Sequence, residues 1–179
     1  MSVDRMFIER MKASDYIEST QNYLDYLKEH IENVRRAFQE LSEACDGKDF
    51  WVADDFAWHT IRGEVINHDL SKLTKNEFIQ YRDFFYPVCE SDKVNSDFGN
   101  AWENHKSMNP HHHESIRNDF DIVHMVIDWT AMSYKFGGSP LAYFRKEKHK
   151  MNLTDDQFKY TEKLLGHLED HRAKNNGNT

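Results

Sequence analysis

Apolar residues recur along this chain at helical spacing, and no stretch alternates apolar and polar positions as a half-buried strand does. From Asp15 to about Cys45, residues Tyr16, Tyr23, Leu24, Leu27, Ile31, Val34, Phe38 and Leu41 mark one long helix. Gly47 is its left-handed stop. A second helix is predicted over 54–68. A third covers 75–85, capped by Thr74 with Glu77 three residues on. Residues 88–97 are polar and read as loop, and a fourth helix runs over about 97–106. Asn109-Pro110 breaks the chain. A fifth helix covers 115–136 and is stopped by Gly137-Gly138, and a short sixth covers 140–149. The last opens on the Thr154/Gln157 capping box and runs to about Lys174. The pattern predicts an all-α, compact single-domain bundle of six to seven helices over residues 14–174. An N-terminal extension over 1–13 and a disordered tail over 175–179 flank it.

Composition narrows the class. The chain has 179 residues, which fit one domain with its own core. Only seven Gly and three Pro interrupt it, favouring long helices over turn-rich sheet. With 39% apolar and 30% charged residues, no membrane-length apolar run and a polar start unlike a signal peptide, a soluble cytoplasmic protein is expected. Cys45 and Cys89 are far apart and form no C-x-x-C pair, so two free thiols are expected. The net charge of −8 argues against broad nucleic-acid binding, which needs a basic surface. It leaves room for a small anionic substrate, because bound metal supplies a local positive field.

Candidate chemistry lies in the order His30, His68-Asp69, His105, His111-His112-His113, Asp128. Imidazole and carboxylate suit divalent ions such as Mn, Fe and Zn. A lone mid-helix histidine such as His30 is more often a packed side chain than a ligand. An adjacent His-Asp pair where a helix unwinds points two side chains at one ion; the bland alternative is a solvated helix-end aspartate. Asp128, amid HMVIDWTAMSYKFG, is the stronger signal, because a carboxylate buried there needs a partner or a cation. His124 lies one turn earlier on the same face, as a ligand, a supporting partner or a substrate contact. Of the triple histidine, His112 and His113 are favoured over His111, which Pro110 leaves nearest the turn. Lys75, Arg62 and Arg82 are candidate outer contacts, and Tyr81, Tyr86, Trp102 and Trp129 candidate pocket walls, although packing and surface salt bridges are the default roles.

This order resembles the HD-domain superfamily of metal-dependent phosphohydrolases, over roughly His30 to Asp128. The resemblance implies an HD-domain-like all-α fold in which His30, His68, Asp69 and Asp128 bind metal. His105 and His112 or His113 match the extra histidines of two-metal members. The segment His68-Asp69-Leu70-Ser71-Lys72 is similar to the H-D-x-G-K segment of many members, with Ser71 where they often carry Gly. It implies that Lys72 holds a substrate phosphate, and Asp69 and Lys72 are expected to be catalytic; from the residues themselves, Arg82, Tyr81, Trp102 and His124 are expected as substrate contacts. The cofactor implied is one or two divalent ions (Mn, Fe, Co, Zn or Mg). The partner implied is a small phosphorylated substrate, a nucleotide or related ester, with a cyclic or signalling nucleotide among the expected forms. The stretches HDLSK, EFIQYRDFFYP, AWENHKSMNPHHHE and IDWTAMSYKFG also make the whole chain similar to an uncharacterised family of phages and bacteria, which implies no activity. Two alternatives stand beside the hydrolase. One is a mixed-valent di-iron oxygenase of the same superfamily. The other is a non-catalytic, metal-stabilised interaction protein, disfavoured because structural zinc usually recruits cysteine and neither Cys45 nor Cys89 lies near this series. No nucleophile elbow, phosphate-cradling Gly-rich loop or dinucleotide fingerprint occurs.

Overall fold

The protein is described by a computed structural model, which covers the backbone of residues 3–177 and the side chains of 13–175 and 177. Eight α-helices are present among the described residues, and no strand. They are α1 (Val3–Cys45), α2 (Phe50–Ala53), α3 (Asp55–Ile66), α4 (Phe78–Phe85), α5 (Asn95–Met108), α6 (Asp119–Phe136), α7 (Pro140–Glu147) and α8 (Asp155–Asn176). Short 3₁₀ turns occupy Leu70–Leu73, Glu90–Asp92 and Lys148–Lys150.

The all-α class follows the sequence pattern, and most ends sit where local chemistry puts them. Asp54 caps α3, its carboxylate accepting from the Ala57 N–H. Thr154 and Gln157 form a reciprocal capping box on α8. Gly137 ends α6 at φ 77°. Several details differ from expectation, among them the fifth predicted helix, which starts at Asp119 after the Asn118 cap and not at 115. The stretch read as an extension is helical from Val3, and residues 1 and 2 lie outside the described residues. The single turn α2 is additional, formed where Asp49 precedes Phe50-Trp51 and Trp51 is buried. The third predicted helix begins at Phe78, because Glu77 turns its carboxylate away from Thr74 to other partners. The last helix continues to Asn176; residues 178 and 179 lie outside the described residues.

The chain divides into two compact units: one comprises the residues up to Glu29 and Asp69–Met108, the other His30–His68 and the residues from Asn109 on. The sequence showed no linker at these points. In the first unit, Tyr23, Leu27, Tyr81 and Ala101 form a small core with Phe78 and Phe98 packed on it. In the second, Val34, Leu41, Trp51, Ile61, Met125 and Leu165 belong to a larger core. There α6 is buried all round from Asp121 to Ile127. A helix so enclosed is a core helix, and any polar side chain on it must find a partner.

Candidate metal centre

In the second unit, three side chains from three helical segments meet at their polar tips. His30 is carried by α1, His68 follows the end of α3, and Asp128 lies on α6. His30 Nε2 is 2.9 Å from His68 Nε2 and 3.2 Å from Asp128 Oδ1. His68 Nε2 is 3.6 Å from the same oxygen. Ligand atoms bound to one ion at about 2.0–2.2 Å stand roughly 2.9–3.6 Å apart in octahedral or tetrahedral geometry. The three edges therefore fit one face of a coordination shell, and the donor set suits a borderline divalent ion. Both histidines are buried, at 5% and 2% exposure, while the Asp128 side chain keeps 15%. Burial alone would raise the Asp128 pKa. The hydrogen bond from His30 and the imidazoles of His30, His68 and His111 outweigh it and hold the carboxyl well below the ordinary range.

A second tier orients this face. His68 Nδ1 lies 2.9 Å from His124 Nε2, and His124 Nδ1 lies 3.5 Å from Glu64 Oε2. A neutral imidazole has one N–H. With His68 Nδ1 donating to His124, its Nε2 lone pair faces His30 and Asp128, the arrangement that fixes a ligating histidine from behind. His111 stacks on the His68 ring at 4.6 Å and lies 4.5 Å from His124. His68, His111 and His124 can bring ligand atoms within 4.8 Å of one another. At His111 this departs from the sequence preference within the triple histidine. His111 is buried in the group and packs against His112, whereas His113 is paired with Glu114 at 3.5 Å. The Pro110 turn directs His111 inward.

In the first unit, a polar group surrounds Asp69. Its backbone is left-handed at φ 57°, immediately before the 3₁₀ turn Leu70–Leu73. That break leaves His68 and Asp69 consecutive in sequence but outside any regular helix. Asp69 Oδ2 accepts from Lys72 Nζ at 2.5 Å, and Asp69 Oδ1 lies 3.2 Å from His105 Nε2. His105 is held from behind by Glu77, 2.9 Å from its Nδ1. Glu77 also accepts from Ser71 and Asn104 at 2.8 and 2.6 Å. Burial opposes ionisation of His105, but hydrogen bonds to Asp69 and Glu77 win and raise its pKa. Burial would raise the Glu77 pKa, but the hydrogen bonds from His105, Ser71 and Asn104 and the charge of His105 lower it.

A model for a family of unknown function, DUF5662, matches residues 19–174. The chain belongs to that family. No curated protein and no solved structure matches it.

The outer residues of this DUF5662 member fall into two groups. Tyr81 and Trp102 flank His105, Tyr81 edge-on at 5.7 Å and Trp102 stacked at 5.8 Å, and Lys72 lies 5.3 Å over the Tyr81 ring. They wall the histidine. Arg82, expected at substrate, instead directs two donors to Asp83 Oδ1 at 2.9 and 2.6 Å and lies over Tyr16. Its sequence neighbour captures it. Sequence reasoning missed Glu77 because its spacing from Thr74 matched a capping box. Tyr23, an apolar helix position in the sequence pattern, lies in the first unit's core, and the hydroxyls of Tyr23 and Tyr81 are buried with no hydrogen-bond partner among the described residues. In the second unit, Asp128 borders a cavity of about 390 Å³. Among the described residues, no helix is long and apolar enough to cross a membrane.

Proposed function

We propose that this chain is a divalent-metal-dependent phosphohydrolase acting on a small phosphate ester, of nucleotide or related type. The observation that carries it is the face formed by His30 Nε2, His68 Nε2 and Asp128 Oδ1, with edges of 2.9 to 3.6 Å. These three residues would hold the ion. A divalent ion held there lowers the pKa of a coordinated water and offsets phosphoryl charge. His124 and Glu64 keep the His68 lone pair aimed at the site. The resemblance to HD-domain enzymes makes Asp69 a metal ligand and His105 one of the further histidines of two-metal members, and the 3.2 Å Asp69–His105 pair suits those roles. Lys72, held beside Asp69, supplies a fixed positive charge for a non-bridging phosphate oxygen. Hydrolysis moves the phosphoryl group from the ester oxygen to water and returns a proton to the leaving alcohol.

Phosphate release tests this reading, measured over a panel of nucleotides and simple esters with added Mn, Fe, Co or Mg. Activity is expected to vanish with EDTA and in Asp69→Ala; activity that survives either contradicts the proposal. A second reading, a di-iron oxygenase, is favoured by the largely apolar cavity beside Asp128. Iron content with oxygen uptake and no phosphate release would select it.

A further inference from the structure

The cavity beside Asp128 lies wholly within the second unit. One side is α6, where Asp128, Trp129, Met132 and Phe136 fall on successive turns of one face. Pro140 and Tyr143, from the start of α7, form the opposite side. Its volume of about 390 Å³ is at the small end of ligand pockets. Asp128 is the only charged residue among the described residues that line it, and none of them is Lys, Arg or His. Burial, reinforced by Glu147 and Glu114, raises the Tyr143 pKa, so its phenol presents a neutral hydroxyl. Beyond the ion that Asp128 would share with His30 and His68, a phosphate chain extending into this cavity would meet apolar walls and no Lys, Arg or His. A flat uncharged ring would meet Trp129 and Tyr143, which already stand edge-to-face at 5.5 Å. Phe136 at the rim is 68% exposed, an apolar side chain still available for contact. Asp128 belongs at once to this cavity and to the triangle with His30 and His68, so a group seated here lies next to the proposed ion.

We propose that this cavity seats the uncharged aromatic part of the substrate and excludes polyphosphate. The inference rests on the hydrolase reading and narrows it to esters whose leaving group is an uncharged ring system, in preference to those with a long phosphate chain.

The test is calorimetric titration of the full chain with 1-naphthol, a neutral ring probe, and separately with tripolyphosphate. It uses the wild type, Trp129→Ala, which removes a wall, and Ser133→Phe, which fills the space from the α6 side. Metal content and melting temperature are read on all three to establish folding. Saturable naphthol binding at one site, weakened at least about tenfold in both variants while tripolyphosphate binding is unchanged, is the expected result. No saturable naphthol binding, naphthol binding equal in all three, or tripolyphosphate binding weakened in parallel overturns the proposal. Phosphate release from the ester panel is measured alongside. Hydrolysis without a naphthol site overturns the seat alone. A naphthol site in a chain that releases phosphate from no ester overturns the hydrolase reading and keeps the aromatic seat.

Discussion

At the residue scale, Asp69 is the most constrained position. Its φ of 57° is uncommon for a residue with a Cβ, and aspartate and asparagine tolerate it better than most. Asp69→Asn is therefore expected to keep the backbone, with melting within a few degrees of wild type, while phosphate release falls by about two orders of magnitude or more. An active Asp69→Asn would remove Asp69 from the chemistry. Glu40 makes a different prediction, in the second unit. Burial alone would raise its pKa, but hydrogen bonds from Arg172 at 2.7 and 2.8 Å and from Tyr134, with the charges of Arg172 and Arg36, lower it. The folded state therefore binds this proton less readily than the unfolded chain. The stabilisation is full above the unfolded pKa, about 4.3, and is lost as pH falls through the folded value. Urea unfolding at a series of acidic pH values should show a shallower acid decline in Glu40→Gln than in wild type. Sequence order named His30, His68 and Asp128 because each is a metal-type residue in a family-like order. Within the triple histidine it favoured His112 and His113 over His111, on the position of Pro110 alone. Three identical side chains around one turn are separated only by packing, and His111 goes inward against His68.

At the element scale, α6 is the organising piece, because it delivers both His124 and Asp128. Its start is held by a reciprocal box in which Asn118 Oδ1 accepts from the Phe120 and Asp121 N–H groups and Asp121 accepts from the Asn118 N–H. Asn118→Ala should cost about 1 kcal/mol, read by denaturant unfolding, with metal affinity reduced alongside. Its end is Gly137 at φ 77° and ψ −179°, a conformation essentially confined to glycine. Gly137→Ala should cost about 1–3 kcal/mol. The Gly137 and Thr154 boundaries were legible because the signal is local, one residue type answering one backbone need. The start of α4 was not, because the same Thr-x-x-Glu spacing serves a cap or a distant partner. Here Glu77 goes to His105, Ser71 and Asn104. The one-turn α2 was not legible either. Four residues carry no period, and it forms because Trp51 finds a place in the core.

At the scale of the whole molecule, a chain of net charge −8 gathers imidazoles and carboxylates in its interior. Such groups are costly to bury unless they hydrogen-bond or share a cation. A bound ion would therefore stabilise folding as well as act in chemistry. At a free ion concentration of about 100 times Kd, the gain is about 2.7 kcal/mol, so chelation should lower the melting temperature by several degrees. The all-α class followed from periodicity and low Gly and Pro content, whereas the division into two units left no trace in composition. The most direct measurement of the central claim is elemental analysis of untagged protein, wild type beside His30→Ala and Asp128→Ala variants that remain folded by circular dichroism. One to two divalent ions per chain are expected in wild type, with a loss of at least one in each variant. Wild-type protein without metal after exposure to Mn, Fe, Co, Zn and Mg, or variants that retain the full complement, would contradict that claim.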